Sequence, residues 1–338
     1  MPTLYLVEQG AEVGCQGDQL IIRRGEEILT KVPIIKIDDV VIFGNVALTT
    51  PAIKRLLDEG IEVTFLTIHG RYHGRLVGAA TPHAALRRAQ YQRSENPMWV
   101  LRHARAHVVG KLRNQRALLQ RFARNRQEVA TGVLEAADAL AQHLDRLPRT
   151  TTVGGLLGFE GSATARYFAG FRALLGPEWR FSARARRPPP DPINALLSFG
   201  YTLLSHKAFG AVQMAGLDPY QGFLHAVDYR RPALALDLVE EFRPLIVDSL
   251  VLRICGDGRI THEDFQESDD GPGMLLKDDA RRRFVSFFDE RLRTEVTHPD
   301  GADGRPGKVT YLRCIQLQAR QIARAIQRNT DYEPFAAR

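Results

Sequence analysis

His225 closes the segment Gly222-Phe223-Leu224-His225, and Asp237, Glu240 and Glu241 follow in the run LALDLVEEF. Helix positions three and four apart share a face, so these three carboxylates can project into one small volume. Leu234, Leu238, Phe242 and Leu245 keep the same period and predict a neighbouring, core-facing stripe. One imidazole with several carboxylates suits a divalent cation, and the oxygen-rich balance leans towards magnesium or manganese. The same residues also read as a solvated acidic helix face beside an ordinary loop histidine. The pattern alone leaves both open.

Further polar residues stand upstream. Glu160 follows the small residues Gly154, Gly155 and Gly158, and Tyr167 falls two helical turns later, on nearly the same face. The pair could be a ligand and a site-shaping group, or a partly buried Glu held by Arg166 or another basic residue. His103 and His107 have the i, i+4 spacing of helical metal ligands. No acid lies between Arg102 and Gln120, so helix 99–126, with Arg102, Arg105, Lys111, Arg113, Arg116, Arg121, Arg124 and Arg126, reads as solvated or phosphate-facing. His69 and His73 are taken as structural. His262, Glu263 and Asp264 are adjacent, so their side chains point apart.

The elements that must position these groups change character along the chain. Leu4–Val7, Gln19–Ile22, Glu27–Leu29, Val40–Phe43, Ile61–Leu66 and Tyr72–Val77 are β-rich segments, interrupted by one helix that starts at Thr49-Thr50-Pro51. Ala79–Pro82 resembles a linker. Beyond it the periodicity is helical: 99–126, 128–144, 150–175, 193–215, a helix through 233–255 that Pro244 should kink, 277–296 and 309–327. Gly256–Gly273 and His298–Lys308 read as loops, and the last residues as a loose tail. The fold class is therefore α+β in two domains. A small β-rich domain with one helix spans 1–80, a linker spans 81–95, and a larger all-α domain spans 96–338.

The chain has 338 residues and a net charge of +7. Residues 1–80 hold eight Lys/Arg against ten Asp/Glu, and the rest holds 38 against 29, which makes the helical part the better match for a polyanion. No apolar run is long enough to cross a bilayer and no export signal is visible, so a cytoplasmic location is expected. Cys15, Cys255 and Cys314 lack metal-ligand spacing and fit buried free thiols.

Three motif blocks stand together in order: Gly158-Phe159-Glu160-Gly161 with Tyr167; Pro190-Asp191-Pro192-Ile193-Asn194 leading to Tyr201; and Gly216-Leu217-Asp218-Pro219 running through His225 to Asp237–Pro244. Together they resemble the CRISPR-associated adaptation integrase, the universal first Cas protein, over essentially the whole chain. The resemblance implies a Mg²⁺ or Mn²⁺ site held by Glu160, His225 and Glu240, with Asp237 supporting it. Tyr167, Asn194, Tyr201 and Lys207 match or lie near polar positions around that site. Arg184 and Arg186 join the basic helix as candidate DNA contacts.

The implied reaction joins spacer DNA to a repeat array by attack of a DNA 3′-hydroxyl on a phosphodiester, with metal-dependent endonuclease activity. The implied partners are DNA, a homodimer formed through the N-terminal domain, and a dimer of the second adaptation protein. A non-catalytic DNA-binding scaffold of the same complex is the alternative, and a metal hydrolase acting on another phosphoester is a further one.

Overall fold

The computed structural model describes residues 3–337 except 69, 71, 77, 79–82, 125–129, 186–187, 230, 269–271 and 302–303. The candidates Arg186, Arg126 and His69 therefore lie outside the described residues. The chain divides into two compact units, residues 1–81 with 281–289, and residues 82–280 with 290–338.

In the first unit, β1 (Thr3–Leu6), β2 (Glu12–Gln16), β3 (Gln19–Arg24), β4 (Glu27–Pro33), β5 (Asp39–Phe43), β6 (Ala47–Leu48), β7 (Glu62–Leu66) and β8 (Tyr72–Leu76) form two four-stranded sheets. One has the order β1-β5-β7-β8, parallel except for the antiparallel β7–β8 pair, and the other the order β4-β3-β2-β6. Helix α1 (Thr50–Asp58) begins where expected: Thr49 accepts from the Ala52 N–H and Pro51 lies in the first turn. Val13, Leu20, Ile22, Val40, Ile42, Leu56 and Val63 fill the core. The short β2 and β6 escape the sequence reading because their runs are brief and carry Gly14 and Cys15 in place of branched residues.

The second unit comprises α2 (Ala84–Ser94), α3 (Pro97–Ala123), α4 (Ala130–Arg146), α5 (Val153–Ala173), α6 (Pro192–Met214), α7 (Ala233–Arg243), α8 (Ser249–Gly256), parts of α9 (Asp278–Leu292), and α10 (Tyr311–Arg328). The segment expected as a linker, 81–95, contains α2, whose Gln90 side chain donates to the carbonyls of Asp218 and Gln221. The helical part is not all-α. Hairpins β9 (Phe265–Glu267) with β10 (Met274–Leu276), and β11 (Glu295–His298) with β12 (Gly307–Thr310), occupy stretches read as loops or helix end.

The kink and the tail differ from their expected forms. Pro244 lacks an N–H, and Pro244–Asp248 widens into a π turn between α7 and α8, so the kink is a change of helical pitch. The tail is packed, with Tyr332 and Phe335 each 4% exposed. Apolar burial and hydrogen bonds to a buried carboxylate hold it, which sequence periodicity does not register.

Helix α3 also departs from its expected role. Trp99, His103, His107, Lys111, Leu112, Asn114 and Leu119 are all buried along it, so one face packs into the unit while Arg102, Arg113 and Arg121 stay exposed. His103 stacks on Trp99, and its Nδ1 lies 2.9 Å from the Trp99 carbonyl. Burial, partly offset by that carbonyl, lowers its pKa to about 4, so it is neutral near pH 7. It neither ligates a metal nor faces a phosphate.

Candidate active site

His225 is positioned from behind by Asp237. The Asp237 carboxylate is fully buried and accepts the backbone N–H groups of Phe223 (2.6 Å), Leu224 (3.0 Å) and His225 (2.9 Å). Its Oδ1 also lies 2.7 Å from His225 Nδ1. Burial opposes ionisation of Asp237, but the His225 hydrogen bond, His107 and the backbone donors together hold its pKa below the usual range. Such a carboxylate fixes the imidazole with its proton on Nδ1 and leaves Nε2 free to accept.

This geometry requires a glycine. A Cβ on Gly222 would meet the Ala233 carbonyl carbon at 2.7 Å and Asp237 Oδ2 at 2.9 Å. Only a residue without a side chain lets the loop lie against α7 closely enough for three consecutive N–H groups to reach one carboxylate.

Nε2 of His225 faces Glu240, 3.8 Å from its Oε1. Glu240 is buried, and Arg243, one turn later, donates to Oε1 at 2.5 Å. Burial would raise the pKa of Glu240, but Arg243, Lys111 and His225 outweigh it and hold the carboxyl ionised, far below the usual range. Glu160 reaches the same place from α5, where its Oε1 accepts from Thr164 (2.9 Å). The ammonium of Lys111, buried on α3, stands between the two acids. It contacts Glu160 Oε1 and lies 2.7 Å from Glu240 Oε2. Three helices and one loop thus bring Glu160, Lys111, Glu240 and His225 together.

The three acids of α7 do not converge. Glu241 is rotated away by the 100° that separates adjacent helical residues. It anchors a different cluster, taking Tyr332 Oη (2.5 Å), the Phe335 N–H (2.7 Å) and Gln318 Nε2 (3.2 Å), with His107 Nδ1 3.2 Å away. Of the two positions that share a face with Asp237, Glu240 turns to the site and Glu241 to the tail.

The remaining candidates are spread around this centre. Tyr167 and Tyr201 both donate to Asp248, at 2.7 and 2.6 Å, so Tyr167 faces a carboxylate the sequence reading passed over. The signal for Asp248 is a lone acid inside the apolar run LIVDSLVL. Burial pushes Asp248 up to about 6, against the pull of the Tyr201 and Tyr167 hydroxyls and of Arg243 and Arg184. Tyr201 lies under both guanidinium groups, with Arg243 4.9 Å and Arg184 5.3 Å from its ring centre. Asn194 is spent locally. It donates to Asp191 and the Ala183 carbonyl and accepts from Arg184 and the Ala185 N–H, which pins the 183–185 loop to the start of α6. Lys207 is buried on the same helix.

Among the described residues, no three His, Cys, Asp or Glu side chains converge tightly enough to form a ready cation cage. The donor set nevertheless fits a hard divalent ion: two carboxylates and one oriented imidazole. Glu240 Oε2 is buried and receives no directed hydrogen bond, only the charge contact from Lys111.

Known proteins are similar to this chain in sequence and in fold. Residues 4–290 match the sequence profile of the family described as CRISPR associated protein Cas1. The CRISPR-associated endonuclease Cas1 1 of Thermus thermophilus is 40% identical over 335 residues, covering 98% of both chains. A casposase solved bound to its integration product superposes with a TM-score of 0.84 at 26% identity, covering 99% of this chain and 93% of the other. A Cas6-RT-Cas1–Cas2 complex gives a TM-score of 0.82 at 27% identity, covering 99% of this chain but 36% of the matched one. No helix among the described residues is long and apolar enough to cross a membrane.

Proposed function

This chain belongs to the CRISPR-associated Cas1 family, and on that premise we propose that it is a DNA endonuclease and integrase of CRISPR adaptation. It inserts spacer DNA into a repeat array by attack of a DNA 3′-hydroxyl on a phosphodiester. The observation that carries the reading is the imidazole of His225, backed by buried Asp237 and aimed at Glu240 beside Glu160. Glu160, His225 and Glu240 would hold Mg²⁺ or Mn²⁺, which supplies charge stabilisation at the scissile phosphate when bound.

The chain's own residues do the rest. Asp237 fixes the tautomer and angle of His225. Arg243 orients Glu240, and Thr164 orients Glu160. No Ser/His/Asp arrangement is required, because the nucleophile belongs to the DNA. The DNA-bound casposase and the Cas1–Cas2 assembly support DNA and a second adaptation protein as partners. A homodimer formed through the N-terminal unit is part of the same proposal.

The test is strand transfer of a short duplex into a repeat-bearing plasmid in Mn²⁺, with and without the partner protein. His225→Ala should abolish joining. Asp237→Asn should reduce metal affinity or joining by about 10–100-fold. Equal product from all three proteins would remove the proposed ligand set. One observation favours a non-catalytic scaffold: Lys111 already bridges Glu160 and Glu240. That reading requires DNA affinity indifferent to Glu160→Ala and no joining by the wild type.

A further inference from the structure

Lys111 stands out among the basic residues of α3. Its ammonium is buried against the two carboxylates assigned to the metal. Several other basic residues of the helix end elsewhere. Arg105 donates to the Thr150 carbonyl, Arg102 pairs with Asp331, and Arg113 and Arg121 are exposed. Two carboxylates from different helices repel each other strongly in a desolvated site, and an uncompensated buried charge is costly. Arg243 compensates only Glu240, through Oε1. Glu160 has the Thr164 hydroxyl, which is neutral. Among the described contacts, the cation that serves both acids is the Lys111 ammonium.

We propose that Lys111 is a resident counter-cation that holds Glu160 and Glu240 together before the metal arrives and is displaced from between them when it binds. A divalent ion held by Glu160 and Glu240 would compete with Lys111 Nζ for the carboxylate oxygens that both acids now direct to that atom. The exchange is an ion swap. Lys111 forms no covalent bond and moves off along its flexible four-carbon stem. Its charge sets two properties in opposite directions: it stabilises the metal-free protein and it weakens metal affinity. Lys111 is thus a positioning residue, distinct from the ligands. The inference rests on the metal-site reading and deepens it.

The test uses the full-length protein and Mn²⁺ itself. Binding is followed by loss of the six-line electron paramagnetic resonance signal of free Mn²⁺, and folding by thermal melts in EDTA and in Mn²⁺. The variants are Lys111→Met, which keeps the shape, and Lys111→Gln, which keeps a hydrogen-bond donor. Both should melt below wild type in EDTA, bind Mn²⁺ about tenfold or more tightly, and show the larger Mn²⁺-induced rise in Tm. Variants that fold only with Mn²⁺ present also support the exchange.

Variants that bind Mn²⁺ as wild type does, or more weakly, overturn it, as do variants that fail to fold with or without Mn²⁺. If neither the wild type nor the variants take up Mn²⁺, the metal-site reading itself falls. That result differs from equal binding by all three proteins, which removes only the role of Lys111.

Discussion

A buried carboxylate does different work according to what surrounds it, as Asp237, Glu240 and Asp248 show. Asp237 is surrounded by donors and held ionised, Glu240 is surrounded by cations and held ionised, and Asp248 receives two tyrosine hydroxyls and is pushed up to about 6. The Asp248 shift bears on stability. Its folded-state pKa exceeds the unfolded value of about 4, so folding gains from its proton at low pH and loses that gain as pH rises through 6. The groups facing it are Tyr167 on α5, Tyr201 on α6, and the guanidinium groups of Arg243 and Arg184. Asp248→Asn should remove a pH-dependent loss of roughly 3 kcal/mol between pH 4 and 6. Urea unfolding of both proteins across that range measures it, and parallel profiles would show that Asp248 titrates normally. Asp248 and Lys111 share a reason for escaping the sequence reading. An acid in an apolar run and a lysine among arginines both look like ordinary surface or boundary residues until tertiary packing buries them. Glu160, His225 and Glu240, which the structure brings near one another, stand in motif blocks visible in the sequence, and Asp237, expected there as a supporting acid, lies behind the imidazole of His225.

Helices and loops supply the next level. Capping residues and prolines made α1 and α6 readable almost to the residue: Thr49 accepts from Ala52 N–H, and Asp191 from Asn194 N–H with Pro192 in the first turn. The tail was not readable, because what holds it are residues far away in sequence, chiefly Glu241 on α7 and Asn114 on α3. Glu241 gathers Tyr332, Phe335 and Gln318 into one buried cluster, and Asn114 on α3 ties in the backbone of Phe335 and Ala337. A Cβ on Gly110 of α3 would meet Pro334 Cβ at 2.6 Å, so the tail lies in a groove that only glycine leaves open. Tyr332→Phe leaves a buried carboxylate one donor short and should cost about 1–3 kcal/mol in a denaturant titration. An unchanged midpoint would mean that the Tyr332 hydroxyl is dispensable to the cluster. Gly222→Ala should act on the other side of α7 by forcing the loop off Asp237. It should weaken Mn²⁺ binding while far-ultraviolet circular dichroism stays unchanged, and unaltered binding would show that the loop can shift without turning His225.

At the scale of the whole protein, the excess of basic residues outside the first eighty gives the proposed DNA partner something to bind, and the structure sorts which arginines are available. Arg102, Arg113 and Arg124 are exposed and recur every eleven residues, almost three whole turns, so they form one ridge along α3 with a spacing on the order of 16 Å. Phosphate contacts release counterions, so duplex affinity should fall steeply with salt. Arg113→Ala with Arg124→Ala should reduce the slope of log K against log salt by about two. An unaltered slope in a fluorescence anisotropy titration would assign that ridge to something other than DNA.

The cluster behind α7 also carries a temporal consequence. Glu241 takes its partners from residues 91 and 94 positions further along the chain. A growing polypeptide therefore contains Glu160, His225 and Glu240 well before it contains what satisfies the acid beside Glu240. The helix bearing that ligand reaches full stability only after Tyr332 and Phe335 have emerged from the ribosome. Completion of the site thus waits on a segment that follows Glu241 by 91 and 94 positions.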